Sequence, residues 1–165
     1  MDESFTDVIA IAHVGAAVAA IGIGIAVFAV PKGTTLHRAL GAAYAGLVIM
    51  LDLAALSLHR EAVFGPFHVL AILSLATIGG AVGLMIFTKQ PPTVVAAHAF
   101  MMAWSYAGLL AAGMGQLAVQ LHVGGRGWVW GAILATLLIA GVIIQIRMPR
   151  TLGPLLSDVE RTPSS

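Results

Sequence analysis

The chain contains no cysteine. That excludes disulfides, thiolate metal sites, a cysteine nucleophile and the thioether attachment of a c-type haem. Charge is nearly as scarce: Asp, Glu, Lys and Arg make up 9% of the 165 residues, against about 25% in an ordinary soluble domain. The net charge of +1 gives no basic field that would gather nucleic acid. The opening Met1-Asp2-Glu3 lacks the basic n-region of a signal peptide, so the first apolar stretch is expected to be a retained helix. No His-Glu-x-x-His, Walker loop or Gly-x-Ser-x-Gly is present, and the serines form no triad pattern. No long polar loop offers room for a soluble active domain. The discontinuous helices and inverted repeats that mark many transporters are also missing.

What is there is apolar. Hydrophobic residues make up 59% of the chain, and the mean hydropathy is +0.99. A spanning helix needs about 20 mainly apolar residues. Five stretches qualify, at 8–30, 36–58, 67–88, 94–119 and 128–146. Pro31-Lys32-Gly33, Arg60-Glu61, Gly65-Pro66, Lys89-Gln90-Pro91-Pro92 and Gly124-Gly125-Arg126-Gly127 separate them. Continuous rather than alternating runs favour helices over a β-barrel. The sequence predicts an all-α integral membrane protein of five transmembrane helices within 1–150. The first four form an antiparallel four-helix bundle, and a polar, loosely ordered tail follows at 151–165.

The basic residues set the orientation. Lys32, Arg38, Lys89, Arg147, Arg150 and Arg161 fall on the side of the C-terminus, whereas Arg60 and Arg126 fall on the other side with Asp2, Glu3, Asp7 and Glu61. The C-terminus is expected in the cytoplasm and the N-terminus outside, in a bacterial inner membrane. Trp128 and Trp130 suit an interfacial aromatic belt. Gly and Ala recur along the helices, which suits close small-xxx-small packing and also leaves room for a flat macrocycle.

The candidate chemistry lies in histidines. His13, His37, His68 and His98 occur one per stretch over the first four, near alternate ends. Antiparallel helices bring His13 and His68 to the outer side and His37 and His98 to the inner side. Ligand-type residues inside a membrane are functional candidates by default. Paired imidazoles from two helices suit the iron of a b-type haem, given second-shell acceptors for their other ring nitrogens. Two such levels, roughly 15–25 Å apart at the helical rise per residue, suit electron transfer across a bilayer. Lys32 and Arg38 then stand beside His37 as contacts for anionic propionates. The same Lys-Gly-Thr-Thr-Leu-His-Arg turn also reads as a basic loop that touches lipid phosphates.

Two other readings compete. Asp52, inside the second stretch with no adjacent cation, could orient a histidine, carry protons or ligate a metal. With His13 and His68, and with His59 or His122 from the outer ends, it forms a mixed His/Asp set that suits zinc or copper, as a hydrolase or metal handler. The second alternative is a non-catalytic membrane assembly or interaction subunit with structural or pH-sensing histidines. Expected partners are the lipid bilayer, a quinone or small redox donor (aided by Tyr106, Asp52 and Gln116), and a second copy of the chain as a homo-oligomer.

The motifs Lys32-Gly33-…-His37-Arg38-…-Gly41, Pro66-Phe67-His68 and His98-Ala99-Phe100-Met101-Met102-…-Ser105-Tyr106 resemble a bacterial family of predicted membrane proteins of unknown function. The alternating histidines also resemble the pattern of the cytochrome b561 family and its two-haem relatives. That resemblance implies a four-helix core with two b-type haems, His13 and His68 ligating the outer one and His37 and His98 the inner one. It has no equivalent here of the ascorbate-binding segments, and the fifth helix is additional.

Overall fold

The computed structural model describes residues 3–57, 65–89, 91–121 and 125–161; of these, the backbone alone is described at 3–10, 66, 126, 151 and 154–161. Five helices follow in order: α1 (Glu3–Ala29), α2 (Thr35–Ser57), α3 (Pro66–Phe87), α4 (Pro92–Gln120) and α5 (Arg126–Arg161). All five are long and apolar enough to cross a membrane. Among the described residues there is no strand. The protein is a helical integral membrane protein, as its composition requires, and its apolar outer surfaces lie against lipid.

The ends of the helices follow from local chemistry. Gly33 takes a positive φ of 77°, the left-handed conformation that glycine adopts freely after a helix. Lys32 then folds back on α1. Its Nζ donates to the carbonyls of Val27 (2.7 Å), Phe28 (2.9 Å) and Val30 (3.3 Å), oxygens left without intrahelical partners at a helix C-terminus. Thr34 caps the next helix. Its Oγ1 accepts the N–H of His37 at 3.1 Å and donates to Pro31 O at 2.9 Å, the N-cap arrangement. Proline occupies the first position of α3 and of α4, where its missing N–H costs nothing.

The chain divides into two compact units, Met1–Leu75 and Ala76–Ser165. In the first, α1 and α2 pack side by side. Ala20 and Gly24 form the buried face of α1, and Tyr44, Ala45, Val48 and Leu51 that of α2. Ala71 and Ser74 are buried on the part of α3 that belongs to this unit. In the second unit α4 and α5 pack side by side. Ala103, Ala107 and Ile144 form their core, with Trp104, Leu137, Ala140 and Met148 around it.

α5 is longer than the sequence predicts. It runs through Pro149 and Pro154 to Arg161, where a loosely ordered tail is expected. At roughly 1.5 Å per residue it extends for about 54 Å, well beyond the hydrocarbon thickness of about 30 Å. Its last turns therefore lie outside the apolar layer, where water can satisfy the carbonyls that proline leaves without donors.

Candidate functional site

The four histidines differ in what their ring nitrogens touch, and the differences fix what each can do. His98 stands six residues into α4. Its Nδ1 lies 2.9 Å from the backbone oxygen of Ala81 on α3. A carbonyl only accepts, so Nδ1 carries the proton. In the neutral ring Nε2 is then the nitrogen with a free lone pair. The α3 backbone is accessible here because the neighbouring positions are small. Gly80 lies against the Met101 methyl, so that a Cβ there would collide with it. Ala81 and Ile78 are fully buried, as is Ser105 two turns beyond His98.

His68 has the opposite arrangement. Gly65 is the N-cap of α3, and its N–H donates to His68 Nδ1 at 3.3 Å, while His68 N–H donates to Gly65 O at 3.1 Å. This is the N3 half of a capping box, with imidazole in place of the usual glutamate and the Gly65 carbonyl in place of an N-cap side chain. A backbone N–H only donates, so Nδ1 is the acceptor and the proton of the neutral ring sits on Nε2. The nitrogen facing away from the helix end is therefore a donor, without the lone pair that ligation needs.

His37 is half-buried at the third position of α2, and its own N–H is held by Thr34. It belongs to the first unit and His98 to the second. Lys32 is exposed and spends all three ammonium protons on the end of α1. Its aliphatic end also lies near Phe28, with Nζ 5.9 Å from the ring centroid. Partial burial lowers its proton affinity below the ordinary lysine value. A propionate at Lys32 would have to displace these carbonyls. Arg38 is exposed on the first turn of α2.

His13 and Asp52 form a second locus, in the first unit. His13 stands sixteen residues back from the end of α1, and Asp52 seventeen residues on from the start of α2. On an antiparallel pair joined by a short turn, the two therefore occur at one depth, about 25 Å from that turn. His13 continues the Ala20–Gly24 face of α1, and Asp52 the Val48 face of α2. The Ser74 hydroxyl on α3 hydrogen-bonds the Asp52 carboxylate. Asp52 Oδ2 and His13 Nδ1 are both buried without a hydrogen-bond partner. An unsatisfied buried group ordinarily costs about 1–3 kcal/mol.

Among the described residues no three His, Asp or Glu side chains gather as a metal-holding group, so His13, Asp52 and His68 do not form one. His59 and His122, the other members of that expected set, lie outside the described residues. Sequence reasoning missed Ser74, a common helix residue with no signal of its own. The only available clue was its spacing, two turns after the Gly65-Pro66 helix start, near the depth of Asp52.

Searches of characterised proteins and of solved structures give no match. One family description does match, over residues 10–146, a stretch that takes in α2, α3 and α4 whole, most of α1 and α5, and every candidate site residue. The chain therefore belongs to the family described as predicted membrane protein (DUF2306).

Proposed function

We propose that this protein is a b-type-cytochrome-like membrane protein that binds haem non-covalently through histidine near the inner face and exchanges electrons there with a membrane partner. The observation that carries the reading is the hydrogen bond between His98 Nδ1 and Ala81 O. Histidines that ligate a metal almost always give their second ring N–H to a carboxylate, backbone carbonyl or water, which fixes the tautomer and raises ligand basicity. His98 has this arrangement, and its Nε2 is left as the base. The lack of cysteine leaves histidine ligation without thioether anchoring as the consistent mode. The donor chemistry at His98 fits such a group, since a ring fixed through Nδ1 by a backbone carbonyl presents Nε2 as the ligating nitrogen.

When bound, haem supplies one-electron exchange at a potential set by its ligands and surroundings. The chain's own contribution is to hold His98 in one tautomer and to keep water from its ring among apolar neighbours. Lys32, already committed to α1, is a weaker candidate for propionate contact than Arg38. The orientation expected from the basic residues, with the C-terminus cytoplasmic in a bacterial inner membrane, goes with this reading. So does a quinone or small donor as redox partner. One haem level, the inner one, is involved rather than the two expected from the alternating histidines. At the outer level, His68 offers an N–H rather than a lone pair.

The test is the visible spectrum of the full-length chain, produced with haem supplied, before and after dithionite. A Soret band with a reduced α-band is expected from the wild type, and loss of that absorbance from His98→Ala. A colourless wild type that has incorporated no haem overturns the reading, as does a His98→Ala protein with an unchanged spectrum.

A further inference from the structure

The first unit carries a polar locus that the haem reading does not use. His13 Nδ1 and Asp52 Oδ2 are buried without partners on two helices packed side by side, at matching depth and on their buried faces. They do not satisfy each other, since each lacks any hydrogen bond. The second carboxylate interaction is already supplied by Ser74 from α3. A carboxylate oxygen only accepts, the imidazole Nδ1 accepts in the tautomer that carries its proton on Nε2, and the serine oxygen keeps a lone pair after donating. In that tautomer three acceptors at one depth call for a donor between them.

We infer that His13, Asp52 and Ser74 form a binding site for one small guest that donates two hydrogen bonds, a water molecule or an ammonium cation. One guest proton goes to Asp52 Oδ2 and one to His13 Nδ1. The site lies five residues inside the end of α2, with Ser57 as its last residue. It is therefore within about two turns of the aqueous boundary, so a hydrated guest can enter without crossing the apolar layer. Among the described side chains, the other titratable groups of this unit lie elsewhere along the helices. Tyr44 is two turns deeper on α2, His68 is six residues earlier on α3, and His37, Lys32 and Arg38 stand at the opposite end of α2. A site that holds water serves as an inlet for protons into the membrane-embedded protein. A site that holds ammonium serves as a selective cation pocket. Both share the same double-donor chemistry.

The experiment uses the full chain with ¹⁵N-labelled histidine in lipid nanodiscs. Magnetisation transfer from solvent protons to His13 Nδ1 is measured, followed by titration with ammonium chloride against sodium chloride. Transfer from solvent with no ammonium-specific shift identifies water as the guest. A saturable shift with ammonium but not with sodium identifies the cation. In Asp52→Asn the neutral amide removes the anionic acceptor, and either signal is expected to fall at least severalfold. If Asp52→Asn does not fold, Asp52→Glu keeps the charge and is expected to move the His13 signal. A wild-type His13 Nδ1 with neither solvent transfer nor an ammonium shift overturns the inference. So does a signal indifferent to the substitution at Asp52. The readout is a nitrogen resonance in the first unit, so it fails or succeeds independently of the colour that tests the haem reading.

Discussion

The ring Nδ1 of His98 points its proton at the Ala81 carbonyl oxygen 2.9 Å away, so its Nε2 is the basic nitrogen. His68 receives the Gly65 N–H on the same ring atom, so its Nε2 is a donor. Two histidines of one sequence pattern are thereby held in opposite tautomers by backbone groups that can act in only one sense. His98→Ala is therefore expected to abolish bound haem. His98→Gln is expected to weaken binding by at least tenfold, because the amide oxygen is a far poorer base toward iron. Both are checked by pyridine haemochrome content per chain. Full occupancy in both variants counts against His98 as a ligand.

His68→Ala separates capping from ligation. Loss of the capping box costs about 0.5–2 kcal/mol at a helix start. Faster amide exchange at Gly65 and over residues 67–69 and a lower melting temperature in detergent are expected, with the haem content per folded chain unchanged. His98→Ala is expected to do the reverse, removing the haem while leaving the start of α3 and its amide exchange unchanged. A loss of haem in His68→Ala, with none in His98→Ala, would reverse the two assignments.

The five membrane-length helices were legible in the sequence, and the hydrogen-bond partners of the candidate site residues were not. The helix limits follow from residues whose chemistry is local. Pro31-Lys32-Gly33, Gly65-Pro66 and Pro91-Pro92 end or begin helices by missing N–H groups and permitted φ, and the observed ends at Ala29, Pro66 and Pro92 fall within two residues of the expected ones. The α5 extension past Pro149 was not legible, because proline's cost depends on whether water reaches the freed carbonyl. The histidine roles were not legible for a different reason. Whether Nδ1 meets a carbonyl or an N–H depends on which backbone group lies beside it, and no residue spacing encodes that. Ser74 became visible only when α3 brought its hydroxyl to Asp52.

Lys32 gives a pH dependence with a definite sign. Its partial burial holds its folded-state proton affinity below the ordinary lysine value. In the window just beneath that value, the unfolded chain binds more protons than the folded one, so the contribution of this site to stability rises with pH. It is highest above the ordinary lysine value and falls away as pH drops through the folded-state value. Lys32→Met removes this dependence together with the cap on α1. At neutral pH the lost cap is expected to cost about 0.3–1 kcal/mol. Thermal unfolding of both proteins at several alkaline pH values checks this; parallel curves would contradict it.

Two glycines close to side chains test how rigid the helix contacts are. A Cβ at Gly80 would overlap the Met101 methyl, and one at Gly141 would lie 3.1 Å from Trp104 Cη2. The nominal clash is worse at Gly80, yet the obstructing atom there is the end of a flexible thioether chain that can swing aside. Trp104 is held by its edge-on packing with Phe100, at a centroid separation of 6.3 Å, and by the α4–α5 core around Ala103, Ala107 and Ile144. Its ring can move only as a whole. Gly141→Ala is therefore expected to destabilise the fold more than Gly80→Ala, by about 1–3 kcal/mol for an overpacked contact. Trp104→Phe, which shortens the ring, is expected to relieve most of the Gly141→Ala cost but none of that at Gly80. Melting temperatures of the four variants in one detergent decide the order. If Gly80→Ala proves the more damaging, Met101 is fixed in place and the α3–α4 contact that presents Ala81 to His98 is the stiffer of the two.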